Sequence, residues 1–239
     1  MDIHKILTIL QEAANQYTAR TLDTSLVIQK ILSLAYNNDW TGNHLQHFCQ
    51  VFYAWTLETK THVEVSAVLT DGIIDLEIDG QKFRTPWFHL LQSDFQNVAV
   101  MRVANKQRWL NFASYLCKIL VNLKIGDAPV MVLLQPSCTC MEILLTSQDA
   151  TNEEIECGVK QLVNCGPLLM KYYHETLQQL MAKVRHKILA HDTPLVGQTF
   201  LLEVLEMYSG GWSLKESSKD YYKNRLFEIQ VPVKELHLD

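Results

Sequence analysis

Apolar residues recur at three- and four-residue steps along most of the chain, the spacing that aligns one face of an α-helix. From Lys106 to Lys124, the residues Trp109, Phe112, Ala113, Leu116, Leu120 and Leu123 keep this step and predict an amphipathic helix with that face buried. His174 to Leu189 repeats it with Leu177, Leu180, Met181, Val184 and Ile188. Leu201, Val204, Leu205 and Tyr208 continue it further on. Two S/T-x-x-E patterns, Thr151 with Glu154 and Ser213 with Glu216, predict capping boxes that satisfy the free N–H groups of a helix start. Gly126-Asp127 with Pro129, Asp192-Thr193-Pro194 and Gly210-Gly211 interrupt the periodicity. Turns this short make consecutive helices antiparallel neighbours. The pattern predicts about ten helices, an all-α chain built as an α-solenoid of about five stacked antiparallel helix pairs.

One segment carries two signals. Ile73-Ile74-Asp75-Leu76-Glu77-Ile78-Asp79-Gly80 alternates like a strand and ends in an Asp-Gly hairpin dipeptide. Val65, Val68, Leu69, Ile73 and Leu76 nevertheless share a helical stripe, Gly80 suits a helix end, and no second strand is evident, so the segment is expected to be helical. Residues 229–239, with Pro232 and no sustained period, are expected to be a loose tail after a single helical domain at 1–228.

Composition narrows the functional classes. Across 239 residues, 48% are hydrophobic and 20% charged, which is the balance of a globular chain and excludes a disordered or fibrous one. A formal charge of −5 provides no global field toward nucleic acid or an anionic membrane, so any RNA contact must be local. Met1 to Leu10 carries Asp2 and Lys5, which fits a helix and not an export signal, and no apolar run approaches the roughly 20 residues of a membrane span. The six cysteines are too sparse for a disulfide framework and are expected to be reduced thiols. With no Asn-X-Ser/Thr sequon in the chain, a cytoplasmic or nuclear setting is expected.

Candidate chemistry is thin. Cys138 and Cys140 with Cys157, Cys165 and His174 form the densest group, but their spacings lack the Cys-x2-4-Cys and His-x3-5-His pairs of a structural zinc site. There is no G-x-S-x-G elbow, H-E-x-x-H pair or phosphate-cradling G-x-x-x-x-G-K-S/T loop, so no catalytic, cofactor or metal residue is nominated. Asp71, Asp75, Glu77 and Asp79 lack the ligand order of a calcium loop and read as a solvated face. The basic residues say more. Lys183, Arg185, His186 and Lys187 cluster on one predicted helix, while Lys215, Lys219 and Lys223 recur every fourth residue on the last one. Such stripes engage phosphate or acidic peptides, or simply form the wet side of an amphipathic helix. Trp212, between two glycines and the basic helix, is either a partner anchor or a plug in the core between helices.

The runs Trp109 to Leu120 (WLNFASYLCKIL), Leu133 to Asp149 (LLQPSCTCMEILLTSQD) and Phe200 to Trp212 (FLLEVLEMYSGGW) form a recognisable set with Glu156-Cys157, Leu162, Gly166, Leu169 and Tyr221-Tyr222. From Gln107 to Arg225 the chain resembles the middle domain of eukaryotic initiation factor 4G, a HEAT-repeat fold. It looks closest to the branch of the cap-binding-complex-dependent translation initiation factor and the histone stem-loop-binding-protein interacting protein. Phe83-Arg84, Phe88, Leu90-Leu91-Gln92 and Phe95 extend the likeness more weakly, and residues 1–60 match only in helical character.

The resemblance implies a non-enzymatic adaptor in messenger-RNA translation. Its implied partners are initiation factors, an RNA helicase, the cap-binding complex or an mRNA-binding protein, and it implies homodimerisation of the small type. Larger family members embed the domain in long chains, so a free-standing domain is expected here. The expected working surface is Lys183, Arg185, Lys187, Trp212, Lys215, Lys219 and Lys223, and direct RNA binding by those stripes is the alternative expectation.

Overall fold

A computed structural model describes residues 3–125, 128–190 and 193–230, and among these twelve α-helices account for nearly all the regular structure. The chain is all-α, of the helical-solenoid type. It divides into two compact units, Met1–Met131 and Val132–Asp239.

In the first unit, α1 (Ile3–Thr18) and α2 (Thr24–Asn37) pack together. Ile6, Leu10, Ala13 and Ala14 on α1 and Val27, Ile31 and Ala35 on α2 are buried at helical steps. The Asp23 carboxylate caps α2 by accepting the Leu26 N–H at 3.0 Å. α3 (Gly42–Thr56) and α4 (Lys60–Ile73) follow, then α5 (Arg84–Gln96), the short α6 (Val98–Ala104) and α7 (Lys106–Asn122). α7 packs mainly against α4 and buries Trp109, Phe112, Ala113, Leu116 and Leu120 as the periodicity predicts. It stops at Asn122, because Leu123 is extended and Lys124–Ile125 (β3) pairs with Ala128–Pro129 (β4). Gly126 and Asp127 of the predicted break lie outside the described residues.

The core of this unit is aromatic. Phe48 and Phe52 of α3 meet Phe83 with ring centroids 5.4 and 5.9 Å away. A buried polar chain crosses it: the Trp87 indole N–H donates to the Tyr115 hydroxyl at 3.2 Å, and that oxygen lies 2.7 Å from the Thr70 hydroxyl, which donates to the Ser66 carbonyl. Each donor in this chain has a partner, which is the condition for burying polar groups without a penalty.

The segment after Ile73 departs from expectation. α4 ends there, and Glu77–Ile78 (β1) pairs antiparallel with Gln81–Lys82 (β2) across Asp79-Gly80. Asp79 and Gly80 both have positive φ, 52° and 74°, as a two-residue type I′ turn requires. The Asp-Gly signal therefore outweighed the helical stripe, and the missing second strand is the short Gln81–Lys82 pair. The carboxylate of Asp79 accepts the Gly42 N–H at 2.9 Å, so the hairpin caps α3 from 37 residues away. The acidic run is correspondingly not just a wet face: Asp75 and Glu77 pair with Arg84 and Lys82.

In the second unit, α8 (Leu134–Thr146), α9 (Asn152–Tyr172), α10 (His174–Leu189), α11 (Leu195–Ser209) and α12 (Glu216–Gln230) pack mostly against near neighbours in sequence. The Thr151–Glu154 capping box is formed, with the Thr151 N–H donating to Glu154 at 3.0 Å. The second expected box is not. α12 begins at Glu216, two residues later than a cap at Ser213 would set it. The reason lies upstream: α11 closes in a Schellman motif, with Trp212 N–H on the Met207 carbonyl at 2.7 Å and Gly211 N–H on Tyr208, which carries the chain on before it can turn into α12. Asp192 and residues 231–239 of the expected tail lie outside the described residues.

Candidate partner-binding surface

The seven residues nominated from the sequence all fall in the second unit, six of them in two groups, on α10 and around α12, and α11 packs against both helices. On α10, Lys183 is exposed and pairs with Glu142 of α8 at 2.5 Å, and Arg185 is exposed. Lys187 differs. It is 8% exposed, and its Nζ donates to the Gln148 carbonyl at 3.0 Å, just past the end of α8. A helix end leaves carbonyls without intrahelical donors, and a lysine reaching them satisfies both hydrogen bonding and the negative end of the helix dipole. Lys187 thus ties α10 to α8. With Thr146, Gln148, Lys183, His186 and Ala190 it lines a shallow depression of about 380 Å³.

Around α12, Lys215 lies exposed ahead of the helix, Lys219 pairs with Glu216 at 3.0 Å, and Lys223 is exposed. The sequence reading missed Phe227, which is 69% exposed four residues beyond Lys223. Lys219, Lys223 and Phe227 stand at i, i+4 and i+8, one row on the helix surface. The i+4 spacing was the available signal. An exposed aromatic on an amphipathic helix cannot be told from a buried one before the packing is known.

Trp212 belongs to neither group. Its backbone is left-handed (φ 67°), and its ring lies on Gly166 of α9 so closely that a Cβ there would stand 2.5 Å from three ring atoms. Tyr208 meets it edge-on at 6.0 Å. The indole Nε1 is enclosed, and no acceptor among the described residues reaches it. The ring therefore fastens the α11–α12 link to α9, the plug between helices of the two sequence readings.

The thiol group is also assembled by the fold. Cys138 and Cys140 of α8 are buried close to Cys165 and Cys157 of α9, and all six cysteines are free. Burial pushes the Cys49 and Cys138 thiols up to about 12 and Cys140 higher still, far from the thiolate form that ligates metals or attacks substrates. His174 is exposed and its Nδ1 contacts the Met170 sulfur at 3.1 Å. Among the described residues no group of three or more His, Cys, Asp or Glu is placed to hold a metal ion, and no helix is long and apolar enough to cross a membrane.

Such a surface, exposed cations in exchangeable ion pairs beside an exposed aromatic, suits docking. Surface ion pairs are worth only about 0–1 kcal/mol, so a partner's carboxylates or phosphates can replace them at little cost.

Comparison with known proteins agrees with this description. No family model matches the chain. The CBP80/20-dependent translation initiation factor of Xenopus tropicalis is 26% identical over 222 residues, 92% of this chain and 38% of that protein. MIF4G domain-containing protein B of Danio rerio is 31% identical over 148 residues, 61% of this chain and 67% of that protein. The human MIF4G domain-containing protein is 27% identical over 142 residues, 59% of this chain and 64% of that protein. The chain thus spans little more than a third of the first relative's length and about two thirds of the smaller ones. The chain belongs to the MIF4G-domain family, the helical type of the middle domain of initiation factor 4G.

Proposed function

We propose that this chain is a non-enzymatic adaptor in messenger-RNA translation, acting in initiation or its regulation by holding translation-factor, cap-complex or mRNA-binding-protein partners against its helices. The observation that carries the reading is the extent of the likeness to the CBP80/20-dependent translation initiation factor, which runs through 92% of the chain and therefore through both units. The exposed row Lys219, Lys223 and Phe227 supports a docking role for α12. The test is capture of partners from cytoplasmic and nuclear lysates on the purified chain, followed by direct binding to each purified candidate. Recovery of an initiation factor, RNA helicase, cap-complex subunit or mRNA-binding protein that also binds directly is the expected result, and recovery of none of these classes overturns the reading.

The second reading, direct RNA binding in mRNA processing or decay, is favoured by the same row, since lysines meet phosphates and an exposed aromatic stacks on bases. It predicts affinity that falls steeply with salt and that drops when Lys183, Arg185, Lys219 and Lys223 are all changed to Glu. RNA affinity unchanged in that variant rules the surface out.

A further inference from the structure

α12 packs on α11 but buries few side chains there. Tyr222 is its only buried residue among those described, with Leu226 and Ile229 half-buried. One carboxylate on α11 also bridges to it: Glu206 accepts the Ser218 hydroxyl at 2.6 Å on one oxygen and the Tyr222 hydroxyl at 2.8 Å on the other. Glu203 adds a second negative charge near Tyr222. Ser218 is half-exposed in the first turn of α12, and its neighbours Lys215, Glu216, Ser217, Lys219, Asp220 and Tyr221 are all exposed, so an enzyme can approach it.

We infer that Ser218 is a phosphorylation site, and that its modification by an ATP-dependent serine/threonine kinase releases α12 from α11. The kinase transfers the γ-phosphoryl of ATP to Oγ of Ser218. The Oγ–P bond forms, the bond from the γ-phosphorus to its bridging oxygen breaks, ADP leaves, and the hydroxyl proton passes to the kinase's base. The product has lost the proton that Ser218 gives to Glu206 and places a dianion against that carboxylate. Lys215, Lys219 and the positive end of the α12 dipole draw the phosphate toward its own helix, so the contact with α11 is what breaks, not the start of α12. Detached, α12 is a lone helix of 15 residues, a length at which isolated helices are marginal in water. Undocking therefore reads out as fraying of the helix that carries Lys219, Lys223 and Phe227. This holds whether or not that row is the partner surface proposed above.

The experiment is hydrogen–deuterium exchange on the full chain carrying genetically encoded phosphoserine at 218, beside wild type, Ser218→Ala and Glu206→Gln. Phosphoserine is expected to speed exchange over 216–230 by about 10-fold, the equivalent of losing one charge-assisted hydrogen bond. Ser218→Ala, which removes the donor without adding charge, is expected to speed it less. In the Glu206→Gln background the added effect of phosphoserine is expected to shrink to a small fraction, because the repulsion has lost its partner. Unchanged exchange in the phosphorylated chain, or an equal increase in both backgrounds, overturns the mechanism. Phosphopeptide mapping of the chain isolated from its own cells is expected to place phosphate on Ser218, and phosphate confined to other serines or absent from this peptide overturns the site.

Discussion

At the scale of single residues, the same residue type serves opposite ends depending on where packing leaves it. Lys187 and Lys223 both stand in basic stripes, yet Lys187 is buried on a helix-end carbonyl while Lys223 is open to solvent. Trp212 shows the point for aromatics, since its ring is seated on a residue that must lack a side chain. Gly166→Ala puts a methyl group into the space of that ring and is expected to cost about 1–3 kcal/mol, the usual range for overpacking. In a Trp212→Ala background the ring is gone, so the same change should cost close to nothing, and equal costs in urea titrations of the two backgrounds would remove the ring from the account. The sequence showed that Trp212 follows two glycines. It did not show Gly166 beneath it, because the 45 positions between them are bridged by the packing of α11 on α9.

At the scale of elements, periodicity read well wherever burial followed one helical face, as in α7 and α10, whose starts fall where the pattern placed them. It misread residues 74–80, where a two-residue turn with both φ values positive decides the structure locally and leaves no room for helix. That hairpin has work elsewhere, because Asp79 caps α3. Asp79→Ala should destabilise the chain by about 0.5–2 kcal/mol, as loss of an N-terminal cap does. It should also speed amide exchange in the first turn of α3, and protection there as in wild type would count against the cap. The α11–α12 contact carries a pH dependence of definite sign. Hydrogen bonds from Ser218 and Tyr222 hold the Glu206 carboxyl below the usual glutamate range. A group whose folded value is depressed stabilises fully above its unfolded value and stops doing so as pH falls through the folded one. Docking of α12, followed by NMR of the Tyr222 ring, should therefore be complete at neutral pH and weaken on acidification below the glutamate range, and the step should vanish in Glu206→Gln.

At the scale of the whole molecule, surface and scaffold can be separated by experiment. Lys187→Met is expected to lower stability by about 1–3 kcal/mol by leaving a helix-end carbonyl unsatisfied, without weakening partner capture by the fraction that stays folded. Lys223→Glu is expected to leave stability within about 0.5 kcal/mol of wild type while reducing capture. The reverse pairing of effects would move the proposed docking surface from α12 to α10. The chain's own order of residues determined the all-α class and the helices of the second half, because a helix is specified by spacing within one turn and by its caps, both of which are local. The likeness to the initiation-factor middle domain was legible for the same reason, being carried by core and turn positions. What only the tertiary structure decided is which members of each stripe face water, that the Asp79 hairpin reaches α3, and that one carboxylate of α11 bonds two side chains of α12. Those depend on contacts between residues far apart in sequence, and no local pattern encodes how far a lysine, a ring or a carboxylate ends up from its partner.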